Sequence, residues 1–247
     1  MSTNSEAMAD RVFIERSLRD WLLFGLCASS GAVDAISFIA LGKVFTAGMT
    51  GNFALLGMGI AGNVGAPRVM SVLAALASFA VGNYVAARIA TPPALYRGQE
   101  PRGVVWPRRA TRALGVALLP HLCFVVIWLA TGGRPDESAT RALLAALALA
   151  MGMQSAAVRC LDVAGVFTTA VTATLIYLMG DLGNRPVSGE EKRRLFGVIA
   201  FVAVGATSVG FLLILAPIYA PLFPLVVTIV VVAIAAKAFG YRDTYRA

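Results

Sequence analysis

The sequence predicts an all-α polytopic membrane protein built from two homologous repeats, and two observations carry that prediction. Hydrophobic residues make up 58% of the 247 positions and the mean hydropathy is +0.77. Several uncharged apolar runs approach or exceed the roughly 20 residues that a helix needs to cross the hydrocarbon core of a bilayer. The second observation is a pattern that occurs twice, 122 positions apart: Val44-Phe45-Thr46-Ala47-Gly48-Met49-Thr50-Gly51-Asn52 and Val166-Phe167-Thr168-Thr169-Ala170-Val171-Thr172-Ala173-Thr174. The match extends outward. Gly31-Ala32-Val33-Asp34-Ala35 precedes the first copy as Gly152-Met153-Gln154-Ser155-Ala156 precedes the second, and Ala80-Val81-Gly82 follows as Ala203-Val204-Gly205 follows. A unit of about 120 residues therefore accounts for nearly the whole chain, and such internal symmetry marks many secondary transporters. The chain reads as one integral membrane domain over 1–247, with repeat one at about 20–131 and repeat two at about 141–240.

The first long run, Trp21 to Leu41, is too long for the hydrophobic core of a cleavable signal and lacks a small-residue cleavage site after it, so it is expected to remain as a span. Val44 to Gly62 follows as a shorter piece bearing Thr and Gly. Long runs come next at Val69 to Ala90, Ala113 to Ala130 and Ala142 to Val158, then a second short piece at Val166 to Gly183. Leu195 to Leu215 and Leu222 to Phe239 complete the set. Each repeat thus comprises three long helices and one short or re-entrant helical segment.

The net charge of +8 does not point to nucleic acid, because the basic residues cluster at the ends of apolar runs. Arg11, Arg16 and Arg19 precede the first run, six arginines from Arg88 to Arg112 surround the central loop, and Lys192, Arg193 and Arg194 precede the seventh segment. Such clusters hold loops in the cytoplasm. If all eight segments cross, the basic residues divide 13 inside to 8 outside; if the two short pieces enter and leave on one side, they divide 17 to 4. The second, six-span topology is preferred. It places both termini in the cytoplasm and gives each repeat an odd number of crossings, which makes the repeats inverted.

Re-entrant backbone is tolerated at membrane depth only where protein or a water-filled cavity satisfies its polar groups, so the two short pieces are expected to line something. Thr46 and Thr50 are four apart, as are Thr168 and Thr172, which on a helix would stack each pair on one face. Asn52 adds an amide at the same depth. Asp34 lies well inside the first run, where a carboxylate is expensive and commonly belongs to a pathway or relay. Ser30 and Ser37 share its face at i−4 and i+3. A bland alternative makes Asp34 a structural acid bonded to Asn83 or Gln154, and Arg159 is a further possible ion partner, or simply the end of its helix.

The other polar residues carry less. His121 follows Pro120 inside the fourth run, where a hydrogen-bonded structural role outweighs a proton relay. Cys27, Cys123 and Cys160 are isolated and read as small hydrophobes, and Asp181 reads equally as a turn residue or an ion ligand. The sequence holds no P-loop, GxSxG, HExxH or dinucleotide fingerprint. No cofactor, metal or catalytic residue is expected, and the chain does not read as an enzyme.

At these residues the chain resembles the YoaK-like family of bacterial inner-membrane proteins, a family catalogued as a domain of unknown function. The resemblance covers most of the chain and rests on Gly31-x-x-Asp34-Ala35 and Thr50-Gly51-Asn52 in the first half, with Gly152-x-Gln154 and Thr168-x-x-x-Thr172 in the second. The second half departs from the family pattern at Ala173, where a glycine commonly follows the threonine. The resemblance implies a multi-pass protein of the bacterial inner membrane and supplies no substrate.

The expected function is secondary transport of a small molecule or ion by alternating access at the repeat interface. Asp34 would carry the proton or cation, with Ser30, Ser37, Thr46, Thr50, Asn52, Asn83, Gln154, Thr168 and Thr172 as candidate lining. The alternatives are a membrane-embedded enzyme acting on a lipid-soluble substrate and a non-transporting scaffold or sensor. The bilayer is the expected partner.

Overall fold

The computed structural model describes residues 2–90, 104–184 and 188–240, and of residues 2–10 and 181–184 the backbone alone. The described chain is all-α. Helix α1 (Ser2–Ala40) is followed by α2 (Met49–Ile60), α3 (Ala66–Ala90), α4 (Arg108–Ala130) and α5 (Glu137–Arg159). Then come α6 (Val171–Asn184), α7 (Gly189–Leu215), a 3-10 turn at Pro217–Tyr219 and α8 (Leu222–Phe239). Six of these are long and apolar enough to cross a membrane: Arg11–Ala40 within α1, then α3, α4, α5, α7 and Pro217–Phe239. Helix α2, with 12 residues, reaches only about 18 Å at 1.5 Å per residue, short of a hydrocarbon core of about 30 Å.

Several helices begin earlier than the apolar runs suggest. Helix α1 starts nearly twenty residues before Trp21, α4 before Ala113, α5 before Ala142 and α7 before Leu195. Hydropathy marks what a bilayer could cover, whereas helix propagation needs only good formers, and the charged flanks are rich in Ala, Glu, Arg and Leu. Arg11 and Glu15 form an i,i+4 pair at 3.9 Å along the extension of α1. Capping sets other starts. The Asp136 carboxylate accepts from the Ala139 N–H at 2.7 Å at the head of α5, and the Ser188 hydroxyl accepts from the Glu191 N–H at 3.2 Å at the head of α7. Helix α2 ends in a left-handed glycine, Gly62 (φ +82°), which lets the Asn63 N–H return to the Met58 carbonyl at 2.9 Å.

Two apolar clusters form the core, and they alternate along the long helices. The first gathers the start of the apolar stretch of α1 and the early halves of α4 and α7 with the late halves of α3, α5 and α8, through residues such as Leu23, Ala110, Val198, Ala86, Ala157 and Ala235. The second gathers the opposite halves, including Ile36, Phe124, Val209, Val72, Leu144 and Leu225. The long helices therefore run in alternate directions through one bundle: α1, α4 and α7 one way, α3, α5 and α8 the other. Helix α6 joins the first cluster through Leu178, and α2 packs on the second through Leu55 and Leu56. The two short helices thus sit toward opposite ends of the bundle.

Two helix pairs approach most closely, α1 with α7 and α3 with α5. A methyl group on Gly31 would occupy the space of the Val202 carbonyl oxygen, and one on Gly205 that of Ala28. In the other pair, a methyl on Gly82 would overlap the Leu149 carbonyl and one on Gly152 the Phe79 carbonyl. Backbones this close are the usual reason for small residues at helix crossings in membranes.

Candidate functional site

Two irregular loops interrupt the bundle, residues 41–48 ahead of α2 and 161–170 ahead of α6. The helical reading of Val44 to Gly62 and Val166 to Gly183 is corrected at their starts, since helix begins only at Met49 and Val171. In consequence Thr46 and Thr50 do not share a helical face, and neither do Thr168 and Thr172. Thr46 and Thr168 are buried in the loops, whereas Thr50 and Thr172 lie exposed on α2 and α6. The physical cause is competition for the backbone: the N–H groups of 46–48 bond a side chain on α1, which holds the loop open.

That side chain is Asp34. Its Oδ1 accepts from the Thr46 N–H at 2.8 Å and the Ala47 N–H at 2.7 Å, and its Oδ2 accepts from the Gly48 N–H at 3.0 Å. Three consecutive amides converge on one half-buried carboxylate at the N-terminal end of α2, where the helix dipole also favours negative charge. Ser37 Oγ donates to the Asp34 carbonyl at 3.1 Å, and Thr46 Oγ1 donates to Ser37 Oγ at 3.4 Å. Asn52 clamps the loop from the other side, accepting from the Phe45 N–H at 3.0 Å and donating to the Phe45 carbonyl at 2.6 Å. The partners named for Asp34 from sequence, Asn83 and Gln154, are not its partners here. Asn83 donates to the Gly152 carbonyl at 3.4 Å at the α3–α5 crossing. Arg159, the last residue of α5, is exposed. Ser30 is buried one turn before Asp34.

Gln154 serves the second loop. Its Nε2 donates to the Leu26 carbonyl of α1 at 3.1 Å and to Thr168 Oγ1 at 3.2 Å. Ser155 Oγ lies 2.5 Å from Thr169 Oγ1, and the Phe167 N–H donates to Thr174 Oγ1 at 3.3 Å. The Phe167–Thr174 bond spans seven residues, as does that between Phe45 and Asn52. Both loops are therefore tied to α1, at Leu26 and at Asp34, about 12 Å apart along its axis.

Ser155, Thr169 and Thr174 were missed in the sequence, although Thr174 stands where Asn52 does in the repeated pattern. Ser29 was missed too; its Oγ lies 3.1 Å from Thr228 Oγ1 and donates to the Pro224 carbonyl at 3.3 Å, joining α1 to α8. His121 is buried on α4, with Nδ1 3.0 Å from the Ala117 carbonyl. The side chain of Asp181 lies outside the described residues. Among the described residues no three His, Cys, Asp or Glu side chains gather as metal ligands. A polar cavity of about 310 Å³ opens beside the second loop, lined by Arg16, Arg19, Asp162, Ser188, Glu190 and Arg194 among others.

The model of the family described as "Protein of unknown function (DUF1275)" matches residues 22–235, nearly all of the bundle. The chain belongs to the DUF1275 family. It is 31% identical over 175 residues to the UPF0700 transmembrane protein YoaK of Bacillus subtilis (strain 168), a match covering 71% of this chain and 72% of that protein. No solved structure matches. The membership agrees with the resemblance drawn from Asp34, Thr50-Gly51-Asn52 and Gln154, and it makes the chain a multi-span membrane protein whose immediate surroundings are the lipid bilayer.

Proposed function

We propose that the chain is a secondary transporter of a small molecule or ion in the bacterial inner membrane, working by alternating access between two inverted repeats. One observation carries the reading. The tight crossing of α1 and α7 uses Gly31 and Gly205, and that of α3 and α5 uses Gly152 and Gly82, which are the anchors of the repeated pattern with the two halves exchanged. Exchange of this kind is what a two-fold relation between repeats requires. Three long helices per half, together with α2 and α6 at opposite ends of the bundle, support inversion. The 17-to-4 division of basic residues supports cytoplasmic termini.

In this reading the loops at 44–48 and 166–170 are the moving parts, and Asp34 couples them to protons. A proton placed on Oδ2 makes it a poorer acceptor for the Gly48 N–H, which loosens that end of the loop while Oδ1 still holds Thr46 and Ala47. A thermal-shift screen against metabolites and ions identifies a ligand, because a ligand of the native state raises its apparent stability. Uptake of that ligand into proteoliposomes then tests the role: Asp34→Asn should abolish proton-driven accumulation while sparing counterflow. Full gradient-driven uptake by the variant removes the coupling role. A non-transporting scaffold is the second reading, favoured by the complete internal satisfaction of the Asp34 carboxylate; absence of uptake for every ligand that binds would support it.

A further inference from the structure

The two loops are built alike, yet they differ in what holds their amides. In the first, the N–H groups of Thr46, Ala47 and Gly48 all point at the Asp34 carboxylate. At the position equivalent to Asp34 the second half has no acid to offer its loop, because the repeated pattern sets Ser155 there. Ser155 has the right reach, since its hydroxyl already lies 2.5 Å from Thr169 Oγ1, but it is short and neutral. Among the described residues the N–H groups of Thr168 and Thr169 donate to no protein acceptor, and that of Ala170 makes only a 3.4 Å contact with the Phe167 carbonyl. These amides open the N-terminal end of α6, the place where a helix favours an anion.

A second orphan lies beside them. Gln154 is 0% exposed, its Nε2 bonds Leu26 and Thr168, and its Oε1 has no hydrogen-bond partner. A buried acceptor left unpaired costs stability, and such a group in a native fold calls for a partner that completes it. The vacant donors call for an anion and the vacant acceptor calls for a proton donor on the same molecule.

We propose that the second loop binds a small carboxylate bearing a hydroxyl or ammonium group, with its carboxylate on the amides of Thr168 and Thr169, as Asp34 sits on the first loop, and its donor on Gln154 Oε1. The proposal deepens the transporter reading and rests on it for the correspondence of the two loops. Helix α1 links the sites, as it carries both Asp34 and the Leu26 carbonyl that orients Gln154. Access is from the side where Phe167 and Ala170 are exposed and Thr169 is half-buried.

Equilibrium binding of radiolabelled lactate and alanine to the purified full chain in nanodiscs tests the site without requiring transport, with acetate, chloride and phosphate as competitors. Saturable binding of lactate or alanine, displaced weakly by acetate and not by phosphate, is the expected result. Ser155→Asp should abolish it by supplying the internal carboxylate that the first loop already has, while Ser155→Ala keeps binding within a few-fold of the wild type. Labelling with ¹⁵N-threonine gives a reading that needs no loop variant to fold: the amide signals of Thr168 and Thr169 move on titration, and that of Thr46, already held by Asp34, does not. No saturable binding by the wild type, or threonine amides that stay still, means that water alone completes the loop and overturns the site. Equal displacement by all anions overturns the carboxylate assignment. Binding without uptake in proteoliposomes leaves the site standing and sinks the transporter reading; uptake of some other solute without this binding does the reverse.

Discussion

Asp34 illustrates how a charged residue becomes affordable inside an apolar bundle. Three amide donors replace the water it would otherwise hold, and in return the carboxylate satisfies three backbone groups that no helix uses. Removing it is therefore costly on both sides. Asp34→Ala should lower stability by on the order of 3 kcal/mol, since it strands several donors at once. Asp34→Asn should cost about 1 kcal/mol: its carbonyl can still take Thr46 and Ala47, but its NH₂ meets the Gly48 N–H donor to donor. Thermal unfolding in detergent measures both, and equal losses for the two variants would contradict the geometry. Asp34 was legible from its position in an apolar run. Its partners were not, because backbone donors leave no trace in side-chain identity.

At the level of elements, the glycines divide into two kinds that a sequence does not distinguish. Gly31, Gly82, Gly152 and Gly205 lie against carbonyl oxygens of facing helices, whereas Gly57, Gly115 and Gly180 have open space. Alanine at any of the first four should push two helices apart and cost about 1–3 kcal/mol, while alanine at the last three should be neutral or stabilising by up to about 1 kcal/mol. Melting temperatures of the seven variants check the split. The cap of α5 makes a pH-dependent prediction. The Ala139 N–H, with the Ser138 hydroxyl, holds the Asp136 carboxyl below the usual carboxylate range. A depressed folded-state value contributes stability that is complete above an unfolded value of roughly 3.9 and is lost as pH falls through the lower folded value. Asp136→Ala should therefore flatten the acid limb of the stability profile and leave a small, constant deficit near pH 7.

At the scale of the whole molecule, the alternating apolar clusters and the two short helices decide what topology must explain. Under the six-span arrangement, single cysteines at Asn63 and Thr131 should react with an impermeant maleimide in intact cells, and cysteines at Ala164 and Ser188 should not, in a background with Cys27, Cys123 and Cys160 replaced. Eight crossings would expose Ala164 and protect Asn63 and Thr131. Labelling of Ala164 alone would therefore end the inverted-repeat reading, because each repeat would then cross an even number of times.

The sequence by itself determined the class of protein, the number of long apolar helices and the residues worth watching, because hydropathy, charge placement and pattern repetition are properties of the chain read in order. Asp34, Thr46, Asn52, Gln154 and Thr168 were all found that way. Only the tertiary structure decided where the short helices begin, which threonines are buried, and that Asp34 and Gln154 each serve a different loop. It also decided that α1 pairs with α7 rather than with its neighbours in sequence. The reason is the same in each case: backbone groups make the deciding contacts, across 12 to 14 residues between Asp34 and its loop and across 128 between Gln154 and Leu26, and no local pattern of side chains records which groups meet.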